Sequence, residues 1–179
     1  FLLRSGHSEI LIGKAIEKLK KCTNRPQMSL YDLNKETYSL LRYSAKEREK
    51  LGEHKQDVEF IDWEHPENNH FAIAEEVTIK GNRTKRPDIV LYVNGIAVGV
   101  IELKRSIVSV SEGIRQNIGN QKEEFIKTFF GTVQLVMAGN DTEGLRYGTT
   151  ETPEQHYLSW KETGLGSESR LDRAILQIC

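Results

Sequence analysis

Asp88, Glu102 and Lys104 are the residues whose types and spacing could do chemistry in this chain. They lie in RPDIVLYVNGIAVGVIELKRS, residues 86–106, where Asp88 precedes one hydrophobic run and Glu102 and Lys104 interrupt the end of a second. Side chains alternate along a strand with period 2, so Glu102 and Lys104 share a face on either side of Leu103. Charged groups are rarely buried unless they are paired or hold a metal. Two carboxylates with a lysine can hold a hard divalent cation against a reacting phosphate. Mg²⁺ commonly takes one or two carboxylates plus water and phosphate oxygens. Asp88 and Glu102 would be its ligands, and the backbone carbonyl of Leu103 could add another oxygen. Lys104, a compact point charge, could stabilise a pentacoordinate phosphate or help position and deprotonate a water. The chemistry indicated is metal-dependent phosphodiester cleavage; the plain alternative is an exposed Glu–Lys pair on a sheet edge.

Other candidates are graded by context. Glu9 falls on the apolar stripe of the first expected helix and is the candidate third acid; otherwise it is a first-turn glutamate favoured by the helix dipole. Lys80, Arg83, Lys85 and Arg86 lie just upstream of Asp88, and Arg105 follows Lys104. They are candidate contacts to a phosphate backbone, with an ordinary solvated turn as the other reading of the upstream group. His65, Asn68, Asn69 and His70 faintly suggest an H-N-H nuclease loop but lack its strand–helix context, so a polar loop is expected. His156 is isolated, and no Ser/His/Asp or Cys/His arrangement has support.

The elements that must position these residues follow from periodicity. Residues 89–93 and 96–103 read as a hairpin around Asn94-Gly95, a strong turn signal. The second strand is apolar on both faces apart from its two charges, which places it centrally in a sheet. A regular two-residue turn would pair Val93 with Ile96 and set Asp88 opposite Ile101, facing away from Glu102. A one-residue bulge, a longer loop or a kink is therefore required. Residues 7–21 read as a helix with Ser8 as N-cap and Ile12, Ala15, Ile16 and Leu19 on one stripe. A charged helix is expected over 35–51 and a short strand over 58–63. A strand over 71–79 precedes the basic turn KGNRTKRP. Ser109-x-x-Glu112 is a capping-box pattern opening a helix to about Thr128, weakened by Gly113 and Gly119. Strands at 133–138 and 157–160 and a terminal helix at 169–179 complete an α/β layer architecture.

The 179 residues, 37% hydrophobic and 28% charged, suit one domain with an appendage. A net charge of −1 excludes a globally basic nucleic-acid binder, so DNA contact must be local or shared with partners. Two cysteines, Cys22 and Cys179, exclude a disulfide framework and point to a reducing cytoplasm. No run is long enough to span a membrane and no signal sequence opens the chain. Without a starting methionine or a G-x-x-x-x-G-K-[ST] loop, the chain reads as a fragment whose parent keeps any ATP machinery elsewhere.

From Asp88 through Glu102-Leu103-Lys104 the chain resembles the PD-(D/E)xK nuclease superfamily. More closely, it resembles the N-terminal nuclease domain of the type I restriction endonuclease R (motor) subunit. The likeness extends through LNKETYSLLRY from Leu33, VEFIDWEHPENNHF from Val58 and VQLVMAGND from Val133, most of residues 8–160. It implies a restriction-endonuclease-like core, a mixed central sheet flanked by helices. It also implies Mg²⁺ on Asp88 and Glu102, with Lys104 catalytic. It implies a following helix carrying Q-x-x-x-Y; Gln116 matches the glutamine, but Asn120 stands at the tyrosine position. It further implies an ATP-driven translocase beyond this domain, and assembly with methylation and specificity subunits on double-stranded DNA. The nuclease domain would occupy residues 1–162, with 163–179 a connector towards the motor. Rival readings are a related repair exonuclease and a non-catalytic DNA or subunit docking module on the same fold.

Overall fold

The structure, a computed structural model, describes residues 1–4 and 6–161. Helix α1 (Glu9–Thr23) starts where the hydroxyl of Ser8 accepts the Leu11 N–H at 3.3 Å, and it buries Leu11, Ile12 and Ala15. Helix α2 (Leu30–Tyr43) is capped by Ser29, whose hydroxyl accepts the Asp32 N–H at 3.1 Å. The helix expected over 35–51 is thus corrected at both ends. Its cap lies earlier, and Ser44 adopts φ 71° and ends it. Residues expected to be helical instead form strand β1 (Ala45–Glu47), antiparallel to β2 (Gln56–Val58). The strand expected over 58–63 stops at Val58, because Phe60 and Ile61 bury against α1 and α2 instead of extending a ladder.

The main sheet has six strands: β3 (Phe71–Glu75), β4 (Ile89–Val93), β5 (Ile96–Leu103), β6 (Leu135–Asn140), β7 (Gly144–Gly148) and β8 (Leu158–Ser159). Their spatial order is their chain order. Every neighbouring pair is antiparallel except β5 and β6, which run parallel and need a crossover. Helices α3 (Val110–Asn120) and α4 (Lys127–Phe130) occupy that crossover. The single helix expected over 109–128 is therefore two. The Ile126 N–H returns to the Asn120 carbonyl at 3.2 Å, a turn that brings Ile126 and Phe130 into the core. Strand β3 ends earlier than expected because Glu76 takes φ 50°; pairing resumes as an Ile79–Lys85 bridge. Strand β7 was not legible, being a five-residue run between two glycines.

One sheet face packs Val90, Val100, Val136 and Ala138 against Val110 and Ile114 of α3. The other carries Leu91, Ile101, Met137 and Leu145. Strand β5 is central, with Val100 and Ile101 fully buried. Among the described residues no helix is long and apolar enough to cross a membrane. The expected connector 163–179 and its terminal helix lie outside the described residues.

Candidate active site

The β4–β5 hairpin turns on Asn94 (φ 52°) and Gly95 (φ 81°), the left-handed pair a type I′ turn requires. Val93 pairs with Ile96, as a two-residue turn dictates. The register then shifts: Tyr92 pairs with Ala97 but Leu91 with Gly99, so Val98 is an extra residue. Beyond this bulge Val90 opposes Val100 and Ile89 opposes Ile101, which brings Asp88 level with Glu102. The bulge required by the sequence is present. The Asp88 carboxylate lies against β5, where its Oδ2 accepts the Leu103 N–H at 2.7 Å.

Glu102 is 2% exposed. Its Oε1 accepts from Lys104 Nζ at 2.9 Å, and Lys104 donates again to Gln116 Oε1 at 2.8 Å. Gln116 reaches the lysine because α3 lies close on β5 and β6. A Cβ at Gly113 would stand 3.0 Å from the Ala138 Cβ and 3.5 Å from the Glu102 carbonyl and Lys104 Cγ. The glycine that weakens the helix by propensity is what lets it approach. Burial pushes the Glu102 carboxyl above its ordinary range and the Asp88 charge adds to this, while Lys104 pulls the other way.

Two positioning residues were missed in the sequence. Asn140, fully buried at the end of β6, donates to the Val108 carbonyl at 2.7 Å and accepts the N–H groups of Thr142 and Glu143. Glu143 then accepts the Val110 N–H at 2.9 Å, in the first turn of α3, and that bond holds its carboxyl below the usual range. The expected box forms in part: Ser109 is the N-cap and its hydroxyl accepts the Ser111 N–H at 3.3 Å, but Glu112 pairs with Arg115, and a carboxylate from the β6–β7 turn also serves the helix start. No local pattern signals a cap that spans 33 residues of chain.

Glu9 is not drawn in. It is exposed in the first turn of α1 instead of lying on the buried stripe, a correction that follows from Leu11, Ile12 and Ala15 taking the inward positions. Lys80, Arg83, Arg86 and Arg105 are exposed and Lys85 partly so. Asn120, at the tyrosine position, is buried one turn beyond Gln116. The 65–70 loop is structural, tied through Asp62, which accepts from the His65 N–H and from Asn68.

The donor set suits a hard cation. Glu102 Oε2 is buried without a hydrogen-bond partner, opposite a second carboxylate. The described residues hold no group of three or more His, Cys, Asp or Glu able to bind a metal, so at this place they offer two carboxylates. Two suffice for Mg²⁺, which keeps waters and substrate oxygens, but they do not make a closed protein cage. Two clefts of about 890 and 600 Å³ are lined by neither carboxylate nor by Lys104.

The model of the type I restriction enzyme R protein N terminus matches residues 3–155. The chain is 26% identical over 107 residues to the type I restriction enzyme SsaAORF53P endonuclease subunit of Staphylococcus saprophyticus, covering 59% of this chain and 11% of that protein. It is 27% identical over 149 residues to the type I restriction enzyme HindI endonuclease subunit of Haemophilus influenzae, covering 80% of this chain and 14% of the relative. The chain thus spans a small fraction of the length of these relatives.

Proposed function

The chain belongs to the family of type I restriction enzyme R protein N termini, and we propose that it carries the nuclease centre of such an enzyme, hydrolysing double-stranded DNA with Mg²⁺. The observation that carries the reading is the register: Asp88 level with Glu102, and Lys104 held between Glu102 and Gln116. Two of the three ammonium hydrogens are committed to these partners, which leaves one for a phosphate oxygen.

In the proposed reaction a water attacks phosphorus and the bond to the leaving sugar oxygen breaks. Asp88 and Glu102 would hold Mg²⁺, aided by the Leu103 carbonyl; when bound, the ion would supply positive charge at the phosphate and lower the pKa of water. Lys104 stabilises the charge that develops on the phosphate oxygens, and Gln116 fixes the direction of its Nζ. Leu103 N–H orients the Asp88 carboxylate. Lys80, Arg83, Lys85, Arg86 and Arg105 would engage the flanking backbone, whose charge sets affinity without reading sequence. The cut site would be chosen by methylation and specificity subunits. ATP would serve a motor region elsewhere in the subunit, and the reaction would take place in the cytoplasm, where its DNA is.

The test is metal-dependent stabilisation. Mg²⁺ or Mn²⁺ should raise the thermal midpoint of the wild-type chain by mass action and leave Asp88→Asn unmoved. Equal shifts in both, or none in either, would favour a docking module on the same fold.

A further inference from the structure

Between the end of α1 and the tip of the β3–β4 connection lies a cleft of about 600 Å³, lined in part by Lys20, Asn24, Lys80, Asn82, Phe125 and Lys127. Its wall is rigid. Ile79 and Lys85 exchange backbone hydrogen bonds at 2.8 and 3.0 Å, so the connection continues as a ribbon past Asp88. At the tip, Asn82 donates through its N–H to the Phe125 carbonyl at 3.0 Å and through its side chain to the Glu123 carbonyl at 2.8 Å. A Cβ at Gly81 would fall 2.1 Å from the same Phe125 carbonyl, so the contact admits only glycine. Above the Phe125 ring stand Lys85 Nζ at 4.1 Å and the Arg83 guanidinium at 5.8 Å.

The cations of the cleft divide into two kinds. Lys127 is occupied by Glu123 and by the Pro26 and Met28 carbonyls, and Arg25 by Glu36. Lys20 and Lys80 are exposed, line the same cleft from elements far apart in sequence, and have no acidic partner among the described residues. On the same ribbon Arg86 pairs with Glu76 at 3.5 Å and Lys85 stands over Phe125. Lys85 lies three residues before Asp88, so the ribbon that carries Lys80 leads directly to the first carboxylate.

Resting on the nuclease reading, we propose that this cleft is a second phosphate site for the same duplex. Lys20 and Lys80 would grip the backbone several nucleotides from the cut. Pinning the ribbon tip fixes the backbone that carries Lys80 beside the end of α1 that carries Lys20, so little backbone ordering is lost on binding.

The test measures binding of a 30-base-pair duplex to the full 179-residue chain by fluorescence anisotropy across a salt series, with Ca²⁺ in place of Mg²⁺ to prevent cleavage. Lys20→Ala/Lys80→Ala should lower the slope of log affinity against log salt by about two and weaken binding several-fold at about 0.1 M salt. Lys20→Arg/Lys80→Arg should keep the wild-type slope. Lys21→Ala, a cation at the same helix end but outside this cleft and paired with Glu17, should also keep it. A double-alanine slope equal to wild type overturns the cleft and leaves the nuclease reading standing. So does ATP binding lost in that variant with DNA binding intact, which would make the ligand a free nucleotide. A wild-type chain that binds no duplex overturns the nuclease reading itself.

Discussion

Glu102 is where folding and the proposed chemistry conflict. Its carboxyl is buried, its Oε2 has no partner, and burial outweighs the pull of Lys104, so its folded pKa lies above the ordinary carboxyl value of 4.5. A raised folded pKa favours the protonated group. That stability is fully present below the unfolded value and is lost as pH rises through the folded one. At neutral pH the ionised Glu102 therefore costs the metal-free domain stability. Glu102→Gln removes the charge and keeps an acceptor for Lys104. Its thermal midpoint at pH 7 without metal should exceed wild type by about 2–4 °C, the shift about 1 kcal/mol produces at this size. The gap should close as pH falls towards 4.5. A midpoint lowered at neutral pH would mean that the Lys104 pairing dominates.

At the scale of elements, the hairpin is the device that makes the site. Asn94 supplies both its turn and its anchorage: its side chain donates to the Phe60 carbonyl and to Asn69 at 2.8 Å each and accepts the His70 N–H at 2.8 Å. Asn94→Ala should cost about 2–3 kcal/mol in urea unfolding, from backbone strain at φ > 0 plus the lost bonds, whereas Asn94→Gly should lose only the bonds. Equal costs would assign the whole effect to the side chain. The hairpin was legible in the sequence because its signals are local. Asn-Gly marks the turn, and the requirement that Asp88 meet Glu102 demanded a bulge. Helix α1 was legible for the same reason, through Ser8 and its apolar stripe. What was misread depended on distant partners. Residues 45–47 carry a helix-forming composition, yet pair with β2 as a strand. The 109–128 helix breaks because Ile126 and Phe130 reach the core only after a turn. Asn140 and Glu143 position α3 across more than thirty residues, and no spacing rule reports that.

At the scale of the molecule, a net charge of −1 gives no long-range pull on DNA. The proposed binding would come from cations gathered locally, on the ribbon ahead of Asp88 and around Lys20. The site lies at the carboxyl end of β5, beside parallel β6, where α/β folds place their ligands. The most direct measurement is DNA cleavage by the complete restriction enzyme carrying Lys104→Ala, with Mg²⁺ and ATP, beside its ATPase rate. The account predicts cleavage lost by a factor of at least about 10² with ATPase retained. Cleavage at the wild-type rate would contradict it and leave this domain a docking module.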